Sequence, residues 1–128
     1  MKTLILSVVL CLTIKSNAQQ VAFISGNFVN SKVASYSLYE LNNDNEYTEI
    51  KSVTNKRKYK VECEVDKKYL IKFTDKDSKV KYMSFVAHQE GWIDIDVDFK
   101  SKKSISLVYE KDKASIEKLT EPLVFTQN

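Results

Sequence analysis

Four groups of residues in this chain have the types and spacing from which chemistry is built. The first is Trp92-Ile93-Asp94-Ile95-Asp96-Val97-Asp98-Phe99, where aromatic or acidic residues alternate with apolar ones. Period two is strand periodicity, so Ile93, Ile95, Val97 and Phe99 share one face, while Trp92, Asp94, Asp96 and Asp98 share the other. Three carboxylates on one face suggest a hard cation such as calcium. Geometry opposes this: alternate residues of a strand stand ~6.7 Å apart, whereas the oxygens around calcium lie within ~2.3–2.6 Å of one centre, and the chain has no glycine-turned calcium loop. No metal or other cofactor is expected. The aspartates read as a solvated face paired with lysines of neighbouring strands, where each exposed pair contributes only ~0–1 kcal/mol.

Trp92 gives that face a second meaning. The chain holds seven tyrosines, six phenylalanines and this single tryptophan, and most of the aromatics are needed in a core. An exposed indole beside carboxylates suits the apolar face of a sugar ring, so Trp92, Asp94 and Asp96 form the candidate ligand face. The competing expectation is that the C-terminal tail covers the indole.

The third group is His88 with Cys63 or with the aspartates, which could be drawn as base and nucleophile. Cys63 sits at an inward strand position, where a thiol behaves as a small apolar group rather than an activated one. No nucleophile elbow or zinc-ligand spacing accompanies it, so no catalytic residues are assigned. The fourth group comprises two basic turns, Lys56-Arg57-Lys58 and Lys100-Ser101-Lys102-Lys103, which could hold an acidic glycan or nucleic acid. Acidic residues lie close to most of the other lysines, and these turns read first as solvated. Nucleic acid is the least favoured partner because the chain carries an export signal.

That signal is the amino terminus. Met1-Lys2-Thr3 precedes an apolar run from Leu4 to Ile14, and Ser16 and Ala18 stand at the small-residue positions read by signal peptidase. Residues 1–18 are expected to be removed after Ala18, placing the protein outside the cytoplasm or in a periplasm. Cys11 invites a lipoprotein reading, but bulky Leu10 precedes it. The run is shorter than the ~20 apolar residues a membrane span requires. Loss of Lys2 and Lys15 takes 20 basic residues to 18 against 17 acidic, which removes most of the formal charge of +3. Cys63 then remains without a disulfide partner in its own chain. Two glycines and one proline exclude phosphate-cradling glycine loops and long linkers.

The elements that position these groups are short strands separated by polar turns. Val21 to Val29, Val33 to Leu41, Tyr47 to Val53, Tyr59 to Val65, Tyr69 to Thr74, Val80 to Ala87, Trp92 to Phe99 and Ser104 to Tyr109 all read as strands. Asn42-Asn43-Asp44-Asn45 is the clearest turn. Tyr59 to Thr74 reads as an antiparallel hairpin, with Tyr59, Val61, Cys63, Val65, Tyr69, Ile71 and Phe73 inward. The spacing predicts an all-β antiparallel sandwich of seven or eight strands over residues 19–110, prealbumin-like or immunoglobulin-like. A tail over residues 111–128 should dock on it. Within the tail, Ile116 and Leu119 stand three apart and suggest one helical turn, limited by Pro122.

Ser37-Leu38-Tyr39-Glu40-Leu41, Tyr59 to Val65, and Tyr69-Leu70-Ile71-Lys72-Phe73-Thr74 resemble the strands of transthyretin-like, or carboxypeptidase regulatory-like, β-sandwich domains of secreted Bacteroidetes proteins. The resemblance spans Val21 to about Tyr109. Lys56-Arg57-Lys58 replaces the glycine usual before the second of these strands. The resemblance implies a non-catalytic module, and fold alone carries no activity across. The expected function is a secreted binding or structural module acting on a protein or glycan partner. The alternatives are a glycan- or cell-surface-binding domain using exposed aromatics, and a secreted hydrolase or inhibitor.

Overall fold

The computed structural model describes residues 20–100, 113–117, 119 and 123–126. The expected signal peptide, the expected strand over 104–109 and Ser101 to Lys103 lie outside the described residues. The described chain is all-β. Its strands are β1 (Val21–Val29), β2 (Ala34–Leu41), β3 (Tyr47–Lys56), β4 (Lys58–Glu64), β5 (Lys68–Asp75), β6 (Val80–Ala87), β7 (Gly91–Asp94), β8 (Val97–Asp98) and β9 (Ala114–Glu117). They form two sheets packed as a sandwich. One has the order β4-β1-β7, with β8 also paired to β1, and the other has the order β3-β2-β5-β6-β9.

Alternation in the sequence explains which side chains meet between the sheets. Ala22, Ile24 and Phe28 from β1, and Tyr59, Val61 and Cys63 from β4, face Tyr36, Leu38, Ile71, Phe73, Met83 and Phe85 of the second sheet, all buried. Polar turns close the strands. Asn42 accepts the backbone N–H groups of Asp44 and Glu46 at 2.9 Å each through one side-chain oxygen. Asp75 does the same for Asp77 and Lys79 at 2.9 and 2.8 Å. Asn30, Asn45, Asn55, Asp66 and Ser78 take positive φ at the tight bends, where short polar side chains tolerate the left-handed region best.

Three sequence expectations are corrected. The Tyr59 to Thr74 hairpin does not form: β4 pairs with β1, while β5 pairs with β2 and β6. The two strands have the same inward pattern because they face each other across the core, and alternation alone cannot distinguish that from pairing side by side. The first sheet is not wholly antiparallel, since β7 and β8 run parallel to β1; the chain leaves the second sheet after β6 and re-enters the first in the direction of β1. The helical turn near Ile116 is replaced by β9, which pairs antiparallel with Ser84 to Ala87 of β6. Open hydrogen-bonding groups on the β6 edge outweigh a three-residue apolar spacing that could nucleate little helix alone.

The second sheet also has an apolar outer face. Leu70 is fully buried and Tyr47 nearly so, though neither belongs to the central core cluster. Phe125 packs edge-on against Tyr39, with centroids 5.0 Å apart, and lies 6.0 Å from Tyr47. Tyr47 N–H donates to the Val124 carbonyl at 2.8 Å, and Thr126 N–H donates to the Tyr47 carbonyl at 2.9 Å.

Gly26 occupies an inward position of β1 opposite Tyr59. A Cβ there would overlap the Ile95 carbonyl group, 2.7 Å from its carbon, and would meet Tyr59 Cε1 at 2.8 Å. Backbone and a buried ring therefore fill the space that any larger residue would need. Gly26→Ala should lower stability by about 1–3 kcal/mol, the usual cost of overpacking, measured as a reduced urea midpoint with an unchanged slope.

Candidate functional site

The acidic strand is present as β7 and β8, in one continuous parallel register with β1: Ser25 opposes Asp94, and Phe28 opposes Val97. The ladder is interrupted only over Ile95 and Asp96. Ile95 N–H still donates to the Ser25 carbonyl at 2.8 Å. In a regular parallel ladder the Ile95 carbonyl would accept from Asn27 N–H. Instead it turns inward over Gly26 and accepts from the buried Tyr59 hydroxyl. Asn27 N–H takes Asp96 Oδ1 at 2.8 Å in its place. Burial holds the Tyr59 phenol well above its ordinary range, with Asp96 and Asp94 adding to the rise, so it remains a donor.

All three aspartates bind β1 or the turn that follows it. Asp94 accepts from Ser25 Oγ at 2.9 Å, and Asp98 accepts from Asn30 Nδ2 at 2.7 Å and from Lys100 N–H at 2.9 Å. The carboxylates that suggested a ligand face thus fasten one strand to the next. Ile93, Ile95, Val97 and Phe99 are at most 1% exposed, which places the apolar half of the motif in the core.

Trp92 remains open, at 58% exposure. It lies opposite Phe23 in the β1–β7 register and stacks on it, with centroids 4.8 Å apart and planes 22° from parallel. Lys60 Nζ stands over both rings, 5.2 Å from the Trp92 centroid and 5.8 Å from that of Phe23, a cation–π contact of about 0.5–1 kcal/mol at an exposed site. The stacked pair stands on the outer face of the first sheet. Beside it is a cleft of about 440 Å³, lined by Lys56, Lys58 and Lys60, by Asp94 and Asp96, and by Ser25 and Asn27 among others. The sequence motif pointed to Trp92 but not to Phe23 or Lys60. The outward phase of Phe23, Ser25 and Asn27 is legible in β1, whereas which strand lies beside it is not.

Among the described residues, no hydrogen bond joins His88 to Cys63. Its Nε2 lies 2.6 Å from Ser115 Oγ of β9, and its Nδ1 lies 3.8 Å from Asp66 Oδ1. His88 N–H donates to the Lys113 carbonyl at 2.6 Å, and Asp66 N–H donates to that of Ala87 at 2.8 Å. The side chains have the order acid, base, hydroxyl, but 3.8 Å is too long for a hydrogen bond, and Asp66 has 77% of its side chain exposed. The arrangement joins β9 to two loops at one end of the sandwich. Cys63 is 2% exposed. Burial, with Glu62 adding to it, pushes its thiol up to about 12, the opposite of nucleophilic activation.

The sequence matches no family model, and neither a curated protein nor a solved structure is similar to it. Among the described residues, no helix is long and apolar enough to cross a membrane.

The exchanged hydrogen bonds predict a coupling. Tyr59→Phe leaves the Ile95 carbonyl buried without a donor and should cost about 1–3 kcal/mol, whereas Asp96→Ala removes the acceptor of the exposed Asn27 N–H and should cost about 0.5–1.5 kcal/mol. In the double variant the carbonyl and the N–H can pair directly. The combined loss, measured by urea denaturation, should therefore fall short of the sum by about 1 kcal/mol. Cys63 predicts an alkaline effect. The folded thiol holds its proton up to about 12, whereas an unperturbed thiol releases it near 9.0; the unfolded chain thus binds fewer protons in that interval, and stability falls as pH rises through it. Cys63→Ala should flatten that decline relative to the parent chain.

Proposed function

We propose that this chain is an exported, non-catalytic β-sandwich module that binds a glycan on the outer face of the β4-β1-β7 sheet. The observation that carries the reading is Trp92, 58% exposed and backed by the Phe23 ring, while the other large aromatics among the described residues lie mostly in the core or against the tail. Stacking covers the side of the indole turned to Phe23 and holds it in place, so the surface offered to a pyranose C–H face is that of Trp92, with Ser25 and Asn27 in the outward phase of the neighbouring strand. Rigid strands hold both rings, so little order has to be gained on binding.

Export is supported by the charged start, apolar run and small-residue pattern over residues 1–18. Support for the transthyretin-like resemblance is that its three segments are β2, β4 and β5, which contribute inward-facing strands to both sheets of an all-β sandwich. The non-catalytic reading rests on the buried, proton-holding Cys63 and on the open geometry around His88.

A glycan array tests the reading. The parent chain should bind a restricted set of glycans, and Trp92→Ala should lose at least about tenfold in affinity, the order expected when one stacked aromatic is removed from a hot spot. No binding across a broad array, or full retention by the variant, would overturn it.

A further inference from the structure

We propose that the ligand of this face is an acidic glycan, with a sugar ring on Trp92 and its carboxylates on the lysines of the adjoining cleft; this rests on the glycan reading above. The charges lining the cleft are not equivalent. Asp94 and Asp96 each hold one oxygen, Oδ1, on a neutral donor of the protein, Ser25 Oγ and Asn27 N–H. Lys56, Lys58 and Lys60 have no such commitment: among the described residues, no carboxylate lies within 4.0 Å of any of their ammonium groups.

The contrast with the opposite end of β4 is informative. There Glu40, Glu62 and Glu64 line a second cleft, and Lys67 pairs with Glu40 at 3.3 Å and also with Glu64. One end of the strand is lined by three carboxylates around a single lysine, while the other is lined by three lysines and two carboxylates beside Trp92. Alternation places Lys58 and Lys60 on the outward face of β4, opposite Asn27 and Ser25 of β1, and Lys56 ends β3, with only Arg57 between it and β4. The ammonium groups therefore run away from Trp92 along the sheet edge. Lys60, poised over both rings, is placed to meet a carboxylate borne by a ring stacked below it. Successive hexuronates of a linear chain repeat such a carboxylate at each sugar, which matches a row of lysines better than an isolated anion does. Charge-assisted hydrogen bonds of this kind are the stronger polar contacts available at a surface.

The test uses Trp92, the sole tryptophan, as a fluorescence reporter, and titrates the protein with oligogalacturonate and with its fully methyl-esterified counterpart. The two ligands share a ring and a linkage and differ in charge. The acid form should bind at least about tenfold more tightly at low salt, and the difference should collapse near 0.5 M sodium chloride, where the screening length falls to a few ångströms. Lys56→Gln/Lys58→Gln should weaken the acid form about fivefold to tenfold and leave the ester unchanged; neither residue touches the rings. Equal affinity for the two forms overturns the acidic-glycan inference while leaving the glycan reading intact. Binding of neither form, with neutral glycans bound on the array, also overturns it alone. An array empty of every glycan removes both.

Discussion

The rest of the first sheet depends on where one carbonyl points. Ile95 directs its oxygen inward, over a glycine, to a buried phenol, and three sequence features follow from that choice. Residue 26 has to lack a side chain, residue 59 has to be a hydroxyl-bearing aromatic long enough to reach across the core, and residue 96 has to supply the acceptor that Asn27 N–H has lost. A buried backbone group left without a partner would cost about as much as a single point mutation can normally remove, so the exchange has to be complete. Tyr59 also packs against Phe73, Tyr36 and Phe28, which ties the hydrogen bond to the aromatic centre of the core.

The second sheet is held differently. Its inner face shares the common core, and its outer face carries Leu70, Tyr39 and Tyr47 with Phe125 laid against the two tyrosines. Chain from beyond β8 reaches both margins of this sheet, as β9 beside β6 and as residues 124–126 beside Tyr47. Pairing at the edges removes exposed ladder groups that would otherwise invite association, and Phe125 covers Tyr39 on the outer face of β2.

Function is read from what these demands leave over. Each aspartate fastens β7 or β8 to β1 or to the turn after it, so a face that looks anionic in sequence has one oxygen of every carboxylate turned toward its own backbone and side chains. Trp92 stays 58% exposed, and among the described residues Lys56, Lys58 and Lys60 enter no ion pair. The exposed indole with these lysines beside it is where the proposed binding role belongs.

Alternation of residue type, by itself, determined β1 to β8, most of their inward residues and the placement of Trp92 on the face opposite the buried Ile93, because side-chain direction in an extended chain is a local property of period two. The turn at Asn42 was legible for a similar reason, since its side chain bonds its own backbone within four residues. Pairing was not legible. β4 and β5 read as a hairpin although they face each other across the core, and Ile116 read as helical although an open edge of β6 drew it into a strand, because partner choice depends on contacts far apart in sequence. The acidic motif shows the division most clearly. Its two faces were written in the residue types, but whether the carboxylates would meet water, a cation or the chain's own Ser25, Asn27 and Asn30 was decided only when β1 came to lie alongside, 68 or 69 residues away in sequence.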